Sequence, residues 1–156
     1  MKGADYKNDY NGSYLSWELY LSKAKKVFFS KKSEDTIRWA NSTIDQDTIY
    51  KAELKKNDTT ILGYTCDKLT FNCKSGIQVY YFNRQFSVKP SLYTDHKEGN
   101  WYAFLKMSGS IALKEIIENK QMIFTITATS VEQKDIDDSI FQLPADKPIS
   151  ELPIRQ

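Results

Sequence analysis

Histidine and cysteine are the residue types most often used for nucleophilic and metal chemistry, and this chain has few of them. His96 is the only histidine in 156 residues, and Cys66 and Cys73 are the only cysteines. A Ser-His-Asp or Cys-His arrangement would therefore have to include His96. Both cysteines lie in stretches that predict β-strands, whereas a catalytic nucleophile usually sits on a strained turn. We therefore expect that the protein is not an enzyme.

Two acidic segments carry metal-binding residue types, but their spacing fits no common site. In residues 95–98 the histidine is followed and preceded by charged loop residues, yet adjacent loop residues rarely point at one ion, and zinc takes three or four well-spaced ligands. Asp135, Asp137 and Asp138 lack the glycine and distal glutamate of an EF-hand, and acids before a helical turn are ordinary N-caps. We predict no metal and no cofactor.

Carboxylates are the remaining candidates for acid–base chemistry. A catalytic pair needs an environment that raises the pKa of one member, such as an apolar strand face. We place no Asp or Glu on such a face, and Glu18 alternates with the apolar residues of its predicted strand. The sequence thus gives no positive support for a pair of catalytic carboxylates.

Charge and composition exclude some partners. The net charge is +2 with lysines and acids interleaved, which disfavours binding to nucleic acid or an anionic membrane. No apolar run is long enough for a transmembrane segment. Residues 1–10 lack the apolar core of a signal peptide, which fits a cytoplasmic protein or a mature or trimmed chain. The three tryptophans, ten tyrosines and eight phenylalanines suit either a packed sheet or an aromatic binding surface.

The element around which these residues are arranged is a hairpin over residues 60–82. Its first strand ends at Cys73, Lys74-Ser75-Gly76 reverses the chain, and residues 77–82 return. The apolar alternation slips by one residue near Asp67 and Lys68, which predicts a bulge that curls the sheet. On one continuous strand, seven residues span about 23 Å, so we expect Cys66 and Cys73 to be separate, buried thiols without a disulfide.

Further strands are expected over residues 14–22, 27–29, 36–40, 48–55, 111–118 and 121–131. In the fourth of these, Tyr50, Ala52 and Leu54 alternate with charged residues, which predicts one buried and one wet face, followed by a turn at residues 57–58. A helix is expected from Asn100 as its N-cap to Gly109 as its stop. Residues 91–98 fit a short helix or an ordered loop, and residues 135–141 a single helical turn or tight loop that tucks Ile136, Ile140 and Phe141 against the sheet.

The predicted fold is mostly β, of the α+β kind: a curved antiparallel sheet or half-barrel of about seven or eight strands with one or two short helical segments. The length of the chain suits one domain, which we place over residues 13–145. We expect residues 1–12 to form a loose arm and residues 146–156 an extended, proline-rich tail.

Four segments in order resemble a known pattern: residues 61–68 (ILGYTCDK), 80–82 (YYF), 127–131 (TATSV) and 137–144 (DDSIFQLP). Together they resemble uncharacterised bacterial envelope domains related to the GLPGLI family and to the lipoprotein carriers LolA and LolB. The resemblance implies a LolA-like fold, a periplasmic or cell-envelope location, and a concave sheet face that shelters a lipid or a lipoprotein acyl chain, with residues 101–107 as a lid.

On that interpretation, ten apolar or aromatic residues would line the ligand site: Leu62, Tyr64, Leu69, Phe71, Val79, Tyr81, Phe104, Met107, Phe124 and Ile126. The alternative is a structural or interaction module of the envelope that has a filled core, no ligand and an envelope protein as its partner. Both hypotheses remain open at the level of the sequence.

Overall fold

Strands make up most of the chain in the computed structural model, which describes residues 1–45 and 47–152. In this described part of the chain the one α-helix is α1 (Trp101–Ser108), and short 3₁₀ helices lie at Pro90–Tyr93, Glu98–Asn100 and Asp138–Phe141. The strands are β1 (Tyr6–Asp9), β2 (Leu15–Leu21), β3 (Lys26–Lys31), β4 (Ile37–Asn41), β5 (Ile49–Ile61), β6 (Tyr64–Cys73), β7 (Gly76–Ser87), β8 (Ser110–Asn119), β9 (Ile123–Thr127) and β10 (Ile149–Glu151).

The strands form two five-stranded sheets, in the orders β1-β2-β3-β4-β10 and β5-β6-β7-β8-β9. Every pairing is antiparallel except that of β10 with β4, which is parallel. The mostly β, antiparallel character predicted from the sequence is confirmed. The predicted single sheet or half-barrel of seven or eight strands is replaced by these two sheets, which cover opposite sides of a shared core.

The main core joins the two sheets and the helix. Its fully buried members include Tyr20 and Val27 of the first sheet, Phe71 and Tyr80 of the second, and Phe104 of α1. A smaller cluster lies on the other face of the first sheet, where Leu19, Phe28 and Ile37 pack with Phe141 and Leu143. Neighbouring residues Leu19 and Tyr20 are thus both buried, so β2 has covered residues on both faces.

The central hairpin is confirmed as β6 and β7. The predicted change of phase is also found, because burial passes from Cys66 to Leu69 across Asp67 and Lys68. The extra residues lie on the neighbouring strand: Lys55 pairs with Lys68 and Thr59 with Cys66, so three residues of β5 face Asp67 alone. The backbone N–H of Asn57 donates to Asp67 Oδ1 at 3.0 Å and fixes this bulge.

Strand β5 differs from its prediction in length and in burial. It continues through the expected turn at residues 57–58 to Ile61, and the chain reverses at Leu62 and Gly63, whose φ values are +53° and +81°. Tyr50 is 69% exposed and Leu54 is 44% exposed, so the expected buried face does not exist. The reason is position, because β5 is an edge strand with only β6 beside it.

Helix α1 begins and ends where the sequence predicts. Gly109 adopts φ +64° and its N–H donates to Leu105 O at 2.8 Å, as expected for a glycine that stops a helix. Asn100 stands at the N-cap position, but its side chain does not cap the helix. Its Nδ2 donates to Gln78 Oε1 at 3.1 Å and lies 3.5 Å from Cys73 Sγ, which ties the helix start to the second sheet.

Both terminal segments contain strands, the first in place of the expected loose arm and the second within the expected extended tail. Tyr6 is buried and pairs with Tyr20, so residues 6–9 are the first strand and not part of a loose arm. In the tail, β10 pairs with β4, and the N–H of Leu152 donates to Trp39 O at 2.7 Å. Residues 153–156 of the predicted tail lie outside the described residues.

The expected helical turn near residue 140 is present as the 3₁₀ helix Asp138–Phe141. Asp137 caps it by accepting from the N–H of Ser139 at 2.8 Å. Phe141 packs on the smaller cluster as predicted, whereas Ile140 is 39% exposed. None of the helices within residues 1–45 and 47–152 has the length and apolar character needed to cross a membrane.

Candidate functional site

A cleft of about 680 Å³ opens between the two sheets. One wall comes from β1 and β2, the opposite wall from β8 and β9, and the segment 96–101 contributes between them. This volume lies within the range of about 300–1,000 Å³ that small-molecule sites occupy. We call this space the inter-sheet cleft.

The wall from the second sheet follows from strand register. Glu115 of β8 lies directly between Tyr80 of β7 and Ile126 of β9, and directly opposite residues share one face of a sheet. Ile117 and Phe124 are paired in the same way one step along the strands. Because Tyr80 is in the core, this face of the sheet points inward, and its outer end at β9 lines the cleft.

Apolar and aromatic side chains cover much of the inter-sheet cleft. Ile117, Phe124 and Ile126 come from the second sheet, and Leu15 and Phe29 come from the first. Tyr10 meets Phe124 edge-on, with ring centroids 6.1 Å apart, so aromatic contact links the two walls. Phe124 and Ile126 thus give β9 an apolar face toward the cleft, while Thr125 is exposed.

Three glutamates also line the inter-sheet cleft: Glu18, Glu98 and Glu115. Burial raises the pKa of Glu18 to about 8, that of Glu98 to about 6 and that of Glu115 to about 7. The negative charge of Glu98 further raises the pKa of both Glu18 and Glu115, so the three carboxyl groups interact with one another. Carboxyl groups with raised pKa values are more often protonated near pH 7, and a positive charge placed beside them would favour their ionised form.

This cluster corrects the expectation that no acid lies on an inward strand face. Glu18 was expected on the wet side of β2, but its neighbour two residues on, Tyr20, is a core residue, so both point inward. Glu115 lies two residues from Leu113 and two from Ile117, so all three share one face of the strand, and that spacing was visible in the sequence. For Glu98, which lies in a 3₁₀ turn, the sequence carries no comparable signal.

His96 lies at the inner end of this cluster. It is only 1% exposed, its ring stacks on Tyr6 with centroids 5.6 Å apart, and its Nε2 is 2.7 Å from the Tyr6 hydroxyl. The same hydroxyl donates to Glu18 Oε1 at 3.0 Å, so a hydrogen-bonded row runs from histidine through tyrosine to glutamate. Burial lowers the pKa of His96 to about 3, and the ring is therefore neutral near pH 7.

Two buried nitrogen atoms of the cleft wall have no hydrogen-bond partner among the described residues: His96 Nδ1 and Trp101 Nε1. Buried polar atoms without a partner are uncommon, because leaving one unpaired costs about 1–3 kcal/mol. Both atoms belong to side chains that line the cleft, so a bound molecule with polar groups is one way to satisfy them.

Backbone hydrogen bonds hold the segment that carries His96 and Glu98. Ser42 O, just after β4, accepts from the N–H groups of Lys97 at 2.7 Å and Glu98 at 3.2 Å. The N–H of Tyr102 donates to His96 O at 2.8 Å. Gly99 and Asn100 then both have positive φ, near +62°, which reverses the chain into α1. The first sheet and the helix thus fix these side chains together.

The lysines that contribute to the cleft wall have partners other than the three glutamates. Lys7 Nζ lies 3.1 Å from Asp9 and over the ring of Trp17, and Lys114 Nζ lies 5.8 Å from the ring of Tyr81. In the described part of the chain, no salt bridge involves any of the three glutamates. The carboxyl cluster therefore has no basic side chain paired with it.

The ten residues expected to line a ligand site do not share one surface. Phe124 and Ile126 line the inter-sheet cleft. Leu69, Phe71 and Phe104 are fully buried in the main core. The register of β7 places Val79 and Tyr81 on the face opposite to the buried Tyr80. The remaining three lie apart: Leu62 in the β5–β6 turn, Tyr64 edge-on against Phe86, and Met107 exposed on α1.

The cysteines behave as the sequence predicts, as separate buried thiols. Cys66 and Cys73 are both free, and burial raises the pKa of Cys73 to about 11. Within residues 1–45 and 47–152, no group of three or more His, Cys, Asp or Glu side chains has the arrangement of a metal site. The residues of interest therefore remain those of the inter-sheet cleft.

No protein-family model matches this chain, and comparison with curated proteins and with solved structures found no significant match.

Proposed function

We propose that this protein is a non-catalytic binding protein that takes a small apolar or amphiphilic molecule into the cleft between its two sheets. The observation that carries the proposal is the cleft itself: about 680 Å³, with an apolar wall formed by residues such as Ile117, Phe124 and Ile126. A concave apolar space with a few converging polar groups is the usual form of a ligand site.

An open cleft beside a packed core supports this function. The main core is filled by Phe71, Tyr80, Phe104 and their neighbours, and Tyr6 of that core, with Trp101 packed against it, also forms part of the cleft wall. The apolar groups of β9 that face the cleft are only half-buried, and a ligand would remove them from water. The resemblance to lipoprotein carriers makes a lipid or acyl chain, and a place in the cell envelope, part of the same proposal.

The direct test is to identify what the protein carries. The protein would be purified without detergent from its native source, extracted with organic solvent, and the extract analysed by mass spectrometry. A stoichiometric lipid or amphiphile, absent from a denatured and refolded control, is the expected result. A preparation with no small molecule that also takes up none would favour the alternative, an interaction module without a ligand.

A matched pair of substitutions on β9 locates the binding. Phe124→Asp places a charge in the cleft, and we expect it to reduce uptake of the ligand by at least about tenfold. Thr125→Asp puts the same charge one residue away on the exposed face of the strand and should leave uptake unchanged. Equal effects of the two substitutions would place the ligand elsewhere. Phe104→Asp is unsuitable, because Phe104 is a core residue.

A further inference from the structure

The inter-sheet cleft has chemically different ends. Its β9 side is apolar, whereas Glu18, Glu98 and Glu115 gather beside the buried pair Tyr6 and His96. These three glutamates come from separate parts of the chain, namely β2, the turn before α1, and β8. The fold therefore brings together three acids that are well separated in the sequence.

No salt bridge in the described chain pairs a basic group with this cluster, which would carry negative charge when ionised. His96 is neutral near pH 7, and the amino groups of Lys7 and Lys114 lie against other partners. Burying like charges together without a counter-charge is costly, and a bound cation removes that cost. A positive group brought by a ligand would therefore give these three carboxyl groups the partner that Met1, Lys7 and Lys114 do not supply.

The unpaired nitrogen atoms of the cleft are a second, independent indication. When Glu18 is ionised it can only accept, so the Tyr6 hydroxyl donates to it and accepts from His96 Nε2–H. His96 Nδ1 then carries a lone pair and no hydrogen, and it has no donor among the described residues. An ammonium group supplies several N–H donors, and can therefore satisfy carboxylates together with this nitrogen.

We propose that the ligand is an amphiphilic amine, whose ammonium group lies against Glu18, Glu98 and Glu115 and whose apolar chain lies along Ile117, Phe124 and Ile126. This inference rests on the proposed function, since it names the chemical class of the ligand in the same cleft. The indole N–H of Trp101 is left to donate to an oxygen atom next to the amine.

The amine and the carboxyl groups are coupled through protons. Binding of an ammonium group requires ionised carboxylates, so affinity should rise with pH as the three glutamates lose their protons between about pH 6 and 8. The other titratable groups around the cluster stay uncharged in this range: Tyr6, Tyr10 and Tyr80, whose pKa values burial raises, and His96, whose pKa burial lowers. The remaining charged groups in the cleft wall are Asp9, Lys7, Lys114 and the amino group of Met1.

Isothermal titration calorimetry with three probes of equal chain length tests the inference: dodecylamine, dodecanol and dodecanoate, each below its aggregation concentration. At pH 7.5 we expect dodecylamine to bind at least about tenfold more tightly than dodecanol, and dodecanoate to bind most weakly. Between pH 5 and 8 the affinity for dodecylamine should rise, while that for dodecanol stays constant.

A triple variant, Glu18→Gln, Glu98→Gln and Glu115→Gln, should lose this preference and bind dodecanol as before. Glutamine has nearly the shape of a protonated glutamate, and circular dichroism would establish that the variant is folded. The matched control replaces three exposed glutamates, Glu53, Glu118 and Glu132, by glutamine and should retain the preference. Loss of the preference in this control would overturn the inference, because the amine would then respond to net charge.

The outcomes separate the two proposals. If dodecanol and dodecylamine bind equally well, the amine inference fails and the cleft remains an apolar site. If neither dodecanol nor dodecylamine binds, the proposed function fails, and the inference fails with it.

Discussion

A single carboxyl group, that of Glu18, shows how the inter-sheet cleft affects stability. Its pKa of about 8 in the folded protein lies above its ordinary value of 4.5. Between these values the folded protein holds a proton that the unfolded chain has released, so stability falls as the pH rises through this range. His96 acts in the opposite direction, but only between about pH 3 and 6.5, where the unfolded chain alone is protonated. Above pH 6.5 the glutamates therefore dominate.

We expect the wild-type protein to lose stability between pH 6.5 and 8.5, and Glu18→Gln to lose less. One proton changes the free energy of unfolding by about 1.4 kcal/mol per pH unit, and Glu18 keeps some access to water. The difference between the two proteins over this range should thus be about 1 kcal/mol. Urea unfolding at several pH values would measure it.

The control for this experiment is Glu118→Gln, an exposed glutamate of β8, which should follow the wild-type pH dependence. Parallel curves for wild type and Glu18→Gln would mean that the Glu18 carboxyl group is ionised near pH 7 in the folded protein.

At the residue scale, the sequence predicted the burial of the two cysteine thiols but not that of the three cleft glutamates. Cys66 and Cys73 were recognisable as buried because small hydrophobic residues in a β-branched run have one common environment. Glu115 could have been found from its two-residue spacing from Leu113 and Ile117, which puts all three on one face of the strand. Glu18 could not, because its nearest inward neighbour is Tyr20, a residue type that is common on both faces of a strand. Glu98 reaches the cleft only when the backbone N–H groups of residues 97 and 98 donate to the carbonyl oxygen of residue 42, which is distant in the sequence.

At the scale of elements, the hairpin β6–β7 depends on one glycine. A Cβ atom at Gly76 would lie 1.9 Å from Glu118 O of β8, and the φ of this residue is +154°. We expect Gly76→Ala to destabilise the protein by about 2 kcal/mol or more, because strand β8 would have to move away. Gly12→Ala is the control, since nothing lies within 4 Å of that position and its φ is ordinary. Chemical unfolding of both variants measures the difference, and equal stability would mean that β7 and β8 can separate here without cost.

The edge position of β5 gives a second prediction for this scale. Leu54 and Leu69 are direct partners across β5 and β6, yet Leu54 is 44% exposed and Leu69 is fully buried. Leu69→Ala should therefore cost about 2–5 kcal/mol, and Leu54→Ala less than about 1 kcal/mol. Urea titrations of the two variants make the comparison. An equally large loss for Leu54→Ala would show that a second molecule covers this edge in solution.

Element types could be predicted from the sequence more fully than element partners. The pattern of β5 was read correctly as a strand, since its alternation is clean, but burial depends on what lies against the strand. The helix α1 was predicted from Asn100 to Gly109 because a glycine stop is a local signal. The predicted N-cap hydrogen bond of Asn100 is absent, because its amide donates instead to Gln78, which is 22 residues away in the sequence.

The whole molecule has one main core that both sheets share, and this predicts how it unfolds. Trp17 and Trp39 lie in the first sheet and Trp101 in α1, whereas Cys66 and Cys73 lie in the second sheet. We expect tryptophan fluorescence and the reactivity of the thiols toward a thiol reagent to change at the same urea concentration. Thiol labelling at a lower concentration than the fluorescence change would mean that the second sheet opens alone.

At this scale the sequence predicted class but not arrangement. The strand patterns and the short helix gave a mostly β, antiparallel protein, which is correct. The division into two sheets depends on contacts between distant residues, such as Tyr6 with His96 and Tyr20 with its core neighbours. A loose arm was predicted for residues 1–12 because this segment is polar and turn-like, and nothing in the sequence marks Tyr6 as a buried residue.

The parallel pair of β4 and β10 has a consequence for synthesis of the chain. The strands β1–β4 and β5–β9 each follow one another along the chain, so each group can pair soon after it leaves the ribosome. The outer edge of β4 must wait for Ile149–Glu151, which follow more than a hundred residues later. At ordinary rates of translation that delay is on the order of ten seconds. During it, Ile37–Asn41 presents an unpaired edge on which nascent chains of neighbouring ribosomes can associate.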